Sequence, residues 1–464
     1  MNNFWDYSVW SWMLLFAVLF GSLIVGNILK KSLPFLKNSL VPTSVIGGLL
    51  LLIISAIYNA ITGEVLFNAP VFEGHGMETL EIITYHTLAL GFIASSFKTN
   101  GGALNKKRMG EIINTGVTTV STYLLQGILG LGITIIAAFV IDGFFSAAGV
   151  LLPFGYGQGT GQALNYGNIY ETQFGFDGGK SFGLTIAALG FLSASLGGVI
   201  HLNIMKKKGR IVHSTRSDGS LYTEQIDSDA EIPMQESIDK MTIQIALIIV
   251  TYAITFLVMS GLGNLLPGMR SVIFGFNFLL GVIFATLIKL IINFLLKKKI
   301  MKKKKVTNNF LMTRASNFFF DIMVVSGIAA IRLDVLENYW GIMLILGVVG
   351  LVFTYVYNLL VAKLLFKDYV QEQFLMMFGM LTGTASTGVI LLREIDGDFK
   401  TPASDNLVYQ NFPAIVLGFP MMFLATLAPT RPYLTLIIFV LFFAVLNVFL
   451  FRSFLFKKKI KKED

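Results

Sequence analysis

The chain lacks cysteine altogether and is poor in charge: among 464 residues there is no Cys, there are four His, and Asp, Glu, Lys and Arg together make 14%. Without cysteine, neither a disulfide framework nor a thiolate metal site can form. A soluble globular domain carries about 25% charged residues, so this composition excludes an ordinary soluble enzyme. No Walker motif is present, which removes direct ATP drive within this chain. The run Gly155-Tyr156-Gly157-Gln158-Gly159 follows no strand, opens no βαβ unit and has the wrong spacing for a dinucleotide fingerprint. The first six residues have no positive region, so no cleaved signal peptide is expected there. Nothing points to an enzyme or to a cofactor.

What fills the space is apolar. Charge-free runs cover 38–63, 112–141, 143–170, 181–205, 241–269, 338–362 and 406–430. Each is longer than the roughly 20 residues a helix needs to cross a bilayer core. An all-α polytopic membrane protein follows. The apolar pattern predicts eleven crossing helices, at 7–29, 40–61, 80–97, 112–140, 180–204, 242–262, 271–293, 316–334, 339–365, 406–428 and 433–455. The net charge of +9 is no nucleic-acid footprint, because the basic residues sit in short clusters between these spans. Lys30, Lys31 and Lys37, then Lys98 with Lys106, Lys107 and Arg108, then Lys206, Lys207, Lys208 and Arg210 follow the first, third and fifth spans. Seven lysines in 297–305, Lys367, and five lysines in 457–462 follow the seventh, ninth and eleventh. The even-numbered spans end near Glu64, Glu73, Glu78 and Asp142 instead. The positive-inside rule then places the N-terminus outside and the C-terminus in the cytoplasm, with the expected location the inner (cytoplasmic) membrane.

Two apolar stretches, 144–170 and 371–395, are rich in Gly, Ser and Thr and share a pattern. Phe154-Gly155-Tyr156-Gly157-Gln158-Gly159-Thr160 returns 224 residues later as Phe378-Gly379-Met380-Leu381-Thr382-Gly383-Thr384. Each glycine weakens a helix by close to 1 kcal/mol, so both stretches are expected to be re-entrant hairpins rather than spans. The predicted organisation is a first repeat over 1–205, a polar cytoplasmic linker over 206–240, an inverted second repeat over 241–430, and an additional helix with a basic tail over 431–464. Gly91-Phe92-Ile93-Ala94 and Gly327-Ile328-Ala329-Ala330 echo the duplication. Broken segments in two matching halves outline a secondary transporter. A backbone break at membrane depth survives only where protein, water or ligand meets its polar groups, and two tips meeting near the midplane would favour carboxylates at exposed N–H groups and sodium at exposed oxygens. Candidate substrate contacts are Gly157, Gln158, Gly159, Gly161, Gln162, Thr382, Gly383 and Ser386; candidate cation ligands are the hydroxyls of Thr160, Thr384 and Thr387. The plainer alternative is small residues permitting tight helix packing.

Ionisable residues near the spans carry two readings each. Asp321 is either a cation ligand at membrane depth or an interfacial partner of Arg314. Arg332 either meets a substrate carboxylate or snorkels to the headgroups. His86 bonds a neighbouring helix or takes part in proton or substrate handling. Asn358, Tyr409 and Asn411 are polar candidates for lining a cavity, and Asn411-Phe412-Pro413 is expected to interrupt the start of its span.

On three stretches, 154–163 (FGYGQGTGQA), 379–389 (GMLTGTASTGV) and 40–50 (LVPTSVIGGLL), and on the order of spans over about 5–430, the sequence resembles the bacterial sodium/glutamate symporter family. The resemblance implies an inverted-repeat fold of two five-helix repeats with re-entrant hairpins, sodium as coupling ion, L-glutamate as substrate and a homodimer in the lipid bilayer. One departure stands out. Gln158 occupies the place of a histidine in the family's Gly-Gly-His-Gly-Thr-Gly pattern, and an amide takes up no proton near neutral pH. Alternatives are a transporter of another organic anion, such as a dicarboxylate coupled to sodium or protons, and a passive channel or regulatory membrane protein.

Overall fold

The structure, a computed structural model, describes residues 3–38, 40–98, 106–208, 238–298, 306–337, 339–396 and 400–455. Most of the expected linker 206–240, the lysine run beyond 298 and the basic tail lie outside the described residues. Within them all regular structure is helical. The main helices are α1 (Tyr7–Ser32), α2 (Thr43–Thr62), α3 (Gly76–Ser96), α4 (Lys106–Val140), α5 (Leu151–Gln158), α6 (Thr160–Phe174), α7 (Gly179–Lys207) and α8 (Lys240–Leu265). They continue as α9 (Asn277–Lys297), α10 (Asn309–Ala329), α11 (Trp340–Leu365), α12 (Val370–Thr382), α13 (Ala385–Arg393), α14 (Ala403–Tyr409), α15 (Asn411–Leu427) and α16 (Pro432–Leu450).

Among the described residues eight helices, α1, α2, α4, α7, α8, α9, α11 and α16, are long and apolar enough to cross a membrane. The chain is therefore a multi-pass α-helical membrane protein in outline. Two further helices expected to cross, α3 and α10, have the length, at 21 residues each, without the apolarity. Glu78, Glu81 and His86 lie in the first, Arg314 and Asp321 in the second. The two pack closely on each other, and a helix sheathed by protein can carry polar groups that a lipid-facing one cannot. The Thr84 and Ser326 hydroxyls share a hydrogen bond of 2.9 Å, and Ser316 donates to the Gly91 carbonyl at 3.0 Å. Gly91 lies under the Phe320 ring.

Local chemistry sets several helix ends differently from the hydropathy pattern. The α10 helix begins at Asn309, seven residues before the expected 316, because the Asn308 side chain accepts a hydrogen bond from the Leu311 amide at 3.1 Å and caps it. Asp321 consequently sits mid-helix rather than near the start. The span expected at 271–293 divides into a short helix at Arg270–Gly275 and α9, with buried Asn277 donating to the Tyr85 carbonyl at 3.2 Å. The tenth span is interrupted at Gln410, between α14 and α15, as Asn411-Phe412-Pro413 leads one to expect.

The helices gather into two compact units that cut across the two sequence halves. Unit 1 comprises residues 1–103, 160–169 and 211–333; unit 2 comprises 104–159, 170–210 and 334–464. The first holds α1–α3 and α8–α10, three consecutive helices from each half. The second holds α4, α5 and α7 together with α11–α16. Unit 1 is cored by Leu90 and Ile93 of α3, Phe97 directly after it, Ile248 of α8, Ala285 of α9, and Met312 and Phe319 of α10. In unit 2, α4 packs along α11, α15 and α16, while α5 lies on α7.

Backbone contact inside unit 2 depends on glycine at one point above others. A Cβ on Gly149 would lie 1.9 Å from the Gly130 carbonyl oxygen, and one on Gly130 would lie 2.1 Å from that of Gly149. No side chain movement relieves a clash with backbone. Gly149→Ala is expected to cost about 1–3 kcal/mol of stability. Gly132, also in α4, has open space where its Cβ would be, so Gly132→Ala is expected to gain up to about 1 kcal/mol. Thermal unfolding of the two variants in detergent, with midpoints moving in opposite directions, checks this.

Candidate functional site

Both glycine-threonine motifs break a helix where the sequence places them. The first break is at Gly159, between α5 and α6, with φ of 79° and ψ of −170°. This backbone shape suits glycine, since a Cβ disfavours positive φ. The second is at Gly383 and Thr384, between α12 and α13. Neither α6 nor α13 has a side chain capping its first turn. The boundary between the two compact units falls at the first break, after Gly159.

In unit 1 the start of α6 is wedged against α3 and α10. Thr160 is buried, and its hydroxyl donates to the Met323 carbonyl at 3.1 Å. A Cβ on Gly327 would press on the Thr160 side chain at 2.7 Å, and one on Gly161 would meet Leu88 at 2.7 Å and the Met323 sulfur at 2.9 Å. Two residues on, Gln162 is wholly buried with its Nε2 unpartnered. The orientation of this amide is dictated from outside. Asn165 Nδ2 donates to the Gly275 carbonyl, so the same nitrogen faces the Gln162 Oε1, at 3.5 Å. The bare atom of Gln162 is therefore a donor, next to an uncapped helix N-terminus. Both features attract an anion.

In unit 2 the end of α5 and the α12–α13 pair carry the rest of the motif residues. The Tyr123 hydroxyl donates to the Gly157 carbonyl at 3.0 Å, and the Tyr123 ring occupies the place of a Gly157 Cβ. The glycine at 157 thus answers to packing. Gln158 is half-buried at the end of α5. Helices α12 and α13 fold back on one another: a Cβ on Gly379 would lie 2.8 Å from the Gly388 Cα, and one on Gly388 would lie 2.6 Å from the Met376 carbonyl oxygen. At their junction Thr382 is buried and donates to the Phe378 carbonyl at 2.6 Å. The Thr384 and Thr387 hydroxyls share a contact of 3.4 Å. Gly383 has its missing Cβ 2.8 Å from the Thr387 hydroxyl oxygen. Ser386 lies in the first turn of α13, its side chain outside the described set.

The charged candidates lie elsewhere. Met323 and Gly327, which meet Thr160, are one turn apart on α10. At about 100° per residue, Asp321 lies more than 100° round the helix from both. Asp321 is exposed as a residue, and its carboxylate is hydrogen-bonded by Ser44 of α2. Arg314 instead stands over the Phe310 ring, 5.0 Å from its centre. Arg332 is exposed beyond the end of α10. His86 shares its Nδ1 with the Tyr252 hydroxyl at 2.7 Å, joining α3 to α8.

Sequence reasoning passed over a polar seam inside unit 2. Thr115, Thr118, Thr119, Thr122 and Gln126 recur along one side of α4, all buried. The four threonines donate back to carbonyls one turn earlier. Facing them are Thr354 and Asn358 of α11, Gln373 of α12 and Gln410, next to α14. The periodicity of polar residues within the charge-free run 112–141 is the available signal. His201 of α7 was also unremarked; both its ring nitrogens are engaged, by Tyr355 at 2.6 Å and Gln371 at 2.8 Å. Among the described residues no group of three or more His, Asp or Glu is placed to hold a metal ion.

No family model, no curated protein and no solved structure matches this chain.

The unequal partnering at the start of α6 has a direct consequence. Gln162→Leu removes a buried unmet donor, so the ligand-free protein is expected to be as stable as the parent or more so. Thr160→Val removes a bond that is made, and is expected to cost about 1 kcal/mol. Melting midpoints without added ligand separate the two.

Proposed function

We propose that this chain is a sodium-coupled secondary transporter that imports L-glutamate across the bacterial cytoplasmic membrane by alternating access, with its N-terminus outside. Its architecture in this reading is a pair of inverted repeats, each with a re-entrant hairpin at 144–170 and 371–395, followed by one extra helix, and it works as a homodimer. The observation that carries the reading is the start of α6: a glycine-broken helix inside a membrane protein, with an uncapped N-terminus beside the buried and unmet Gln162 amide. A carboxylate is the guest such a place favours. Three further features support it. The second copy of the motif also breaks a helix, its junction is rich in hydroxyls and free of charge, and each compact unit draws helices from both halves. The resemblance at 154–163 and 379–389 supplies glutamate and sodium as the particular pair.

In unit 1 the assigned carboxylate contacts are Gln162 and the amide of Gly161, with Arg332 as a further candidate; in unit 2 the candidates, taken by themselves, are Gly157, Gln158, Gly159, Thr382, Gly383 and Ser386. Thr160, Thr384 and Thr387 offer hydroxyl oxygens to sodium; Asp321, on a different side of α10 from Thr160, would serve a separate ion. Gln158 favours a second reading, transport of another organic anion such as a dicarboxylate, because an amide stands where the resembling family has an ionisable imidazole. Competition of labelled glutamate uptake by unlabelled acids separates the two.

Purified protein in sealed proteoliposomes is expected to accumulate glutamate only when an inward sodium gradient is imposed. Thr160→Ala and Thr384→Ala are each expected to raise the sodium concentration for half-maximal uptake about tenfold, the equivalent of about 1.4 kcal/mol. Uptake indifferent to sodium, or unchanged sodium dependence in both variants, overturns the assignment.

A further inference from the structure

Unit 2 contains two buried carboxamides whose nitrogens are fully used and whose oxygens are not used at all. The Gln126 Nε2 of α4 donates to the Thr354 hydroxyl at 2.9 Å and to the Leu381 carbonyl at 2.9 Å. The Asn358 Nδ2 of α11 donates to the Thr354 carbonyl at 2.9 Å and to the Thr122 hydroxyl at 3.4 Å. A primary amide has two N–H donors, so both are accounted for in each residue. The Gln126 Oε1 and the Asn358 Oδ1 have no partner and are sealed from solvent. Turning either amide over would set its oxygen against a backbone carbonyl, of Leu381 in one case and Thr354 in the other. Two acceptors would then face each other, so the orientation is imposed by the neighbours.

The two amides are close. Both nitrogens bond to the same residue, Thr354, one to its hydroxyl and one to its carbonyl. Thr122 and Gln126 are one turn apart on α4, as Thr354 and Asn358 are on α11. The Thr122 hydroxyl proton is committed to the Thr118 carbonyl at 2.8 Å, so it serves neither bare amide oxygen. A third buried amide oxygen in the same unit, that of Asn406, is also unmet. In unit 1 the bare amide atom is the nitrogen of Gln162; in unit 2, every bare amide atom among the described residues is an oxygen.

We infer that Gln126 and Asn358 form a buried binding site for a monovalent cation, with the Gln126 Oε1 and Asn358 Oδ1 as its principal ligands and the Thr122 and Thr354 hydroxyl oxygens beside them. A bare buried acceptor is costly, and a cation meets two at once where a single donor meets one. Neutral carbonyl and hydroxyl oxygens suit a hard cation. The absence of carboxylate from this set fits a single positive charge rather than two. The Leu381 carbonyl, held by Gln126, belongs to the last turn of α12, two residues before the break at Gly383 and Thr384. Filling the site therefore acts on the residue that leads into the second break. The inference deepens the sodium-coupled reading, and rests on it only for the choice of sodium over potassium.

The test uses full-length protein purified in detergent, with melting midpoints followed through titrations of sodium, potassium and choline chlorides. Sodium is expected to raise the midpoint above choline at equal ionic strength. Gln126→Met and Asn358→Leu are each expected to shift the sodium concentration that gives half the effect at least tenfold upward. Gly132→Ala, in open space on α4 and outside both assigned sites, is expected to leave the sodium concentration for half the effect unchanged. Should either apolar variant fail to fold, Asn358→Asp serves instead: it supplies a charged oxygen, so it is expected to be less stable than the parent in choline and rescued by sodium. Direct binding of radioactive sodium to the parent protein checks the same site without any variant. Equal midpoints in sodium, potassium and choline, such as a bridging water would give, overturn the inference; stabilisation by potassium and not by sodium keeps the site and overturns the choice of sodium. So does sodium stabilisation unchanged in both apolar variants, or no sodium rescue of Asn358→Asp. Failure of glutamate uptake with this sodium response intact counts against the transport reading alone.

Discussion

A polar group sealed inside a membrane protein must find a partner, because neither lipid nor a packed apolar core supplies one. Most of this chain obeys that constraint locally. Threonines of α4 return their hydroxyl protons to their own helix, His201 engages both ring nitrogens, and Tyr123 satisfies the Gly157 carbonyl. The informative residues are the few that do not. Gln162 keeps a bare nitrogen beside an uncapped helix start, while Gln126 and Asn358 keep bare oxygens beside one shared threonine. A donor left open asks for an anion and acceptors left open ask for a cation. Both kinds in one protein make sense of a carrier that moves a carboxylate together with a cation.

The glycines of the two motifs have a role that is separate from this chemistry. Gly161 admits Leu88 and Met323, Gly327 admits Thr160, and Gly379 and Gly388 let α12 and α13 touch through backbone. Close packing is what holds the amide and hydroxyl groups still, so their open valences persist instead of collapsing on a neighbour. Preorganised polar groups of this kind bind without paying again for their own ordering.

Much of the fold was legible in the sequence because hydrophobic length and glycine-proline punctuation are local signals. The eight apolar helices, the breaks near Gly159 and Gly383 and the interruption before Pro413 follow from them. Capping by Asn308 moved the start of α10, and with it Asp321, by an amount that hydropathy does not register. The α3 and α10 helices looked like spans of the same kind as the others, yet their polar faces are served by each other, which only packing reveals. The sequence drew attention to the motif residues through repetition. It did not expose Gln126, whose significance lies in which of its atoms is met, and that depends on Thr354 and Leu381, more than two hundred residues away. Asn358 was noticed as a polar residue in an apolar span, without the partner that gives it meaning.

The most direct test of an anion site and a cation site acting as a pair is equilibrium binding of L-glutamate to the purified protein in sodium and in choline. Linkage requires that if sodium strengthens glutamate binding by some factor, glutamate strengthens sodium binding by the same factor. The account predicts a strengthening of at least about fivefold, the lower end of ordinary coupling between sites, equal in both directions. Glutamate binding of the same affinity in choline as in sodium would contradict it.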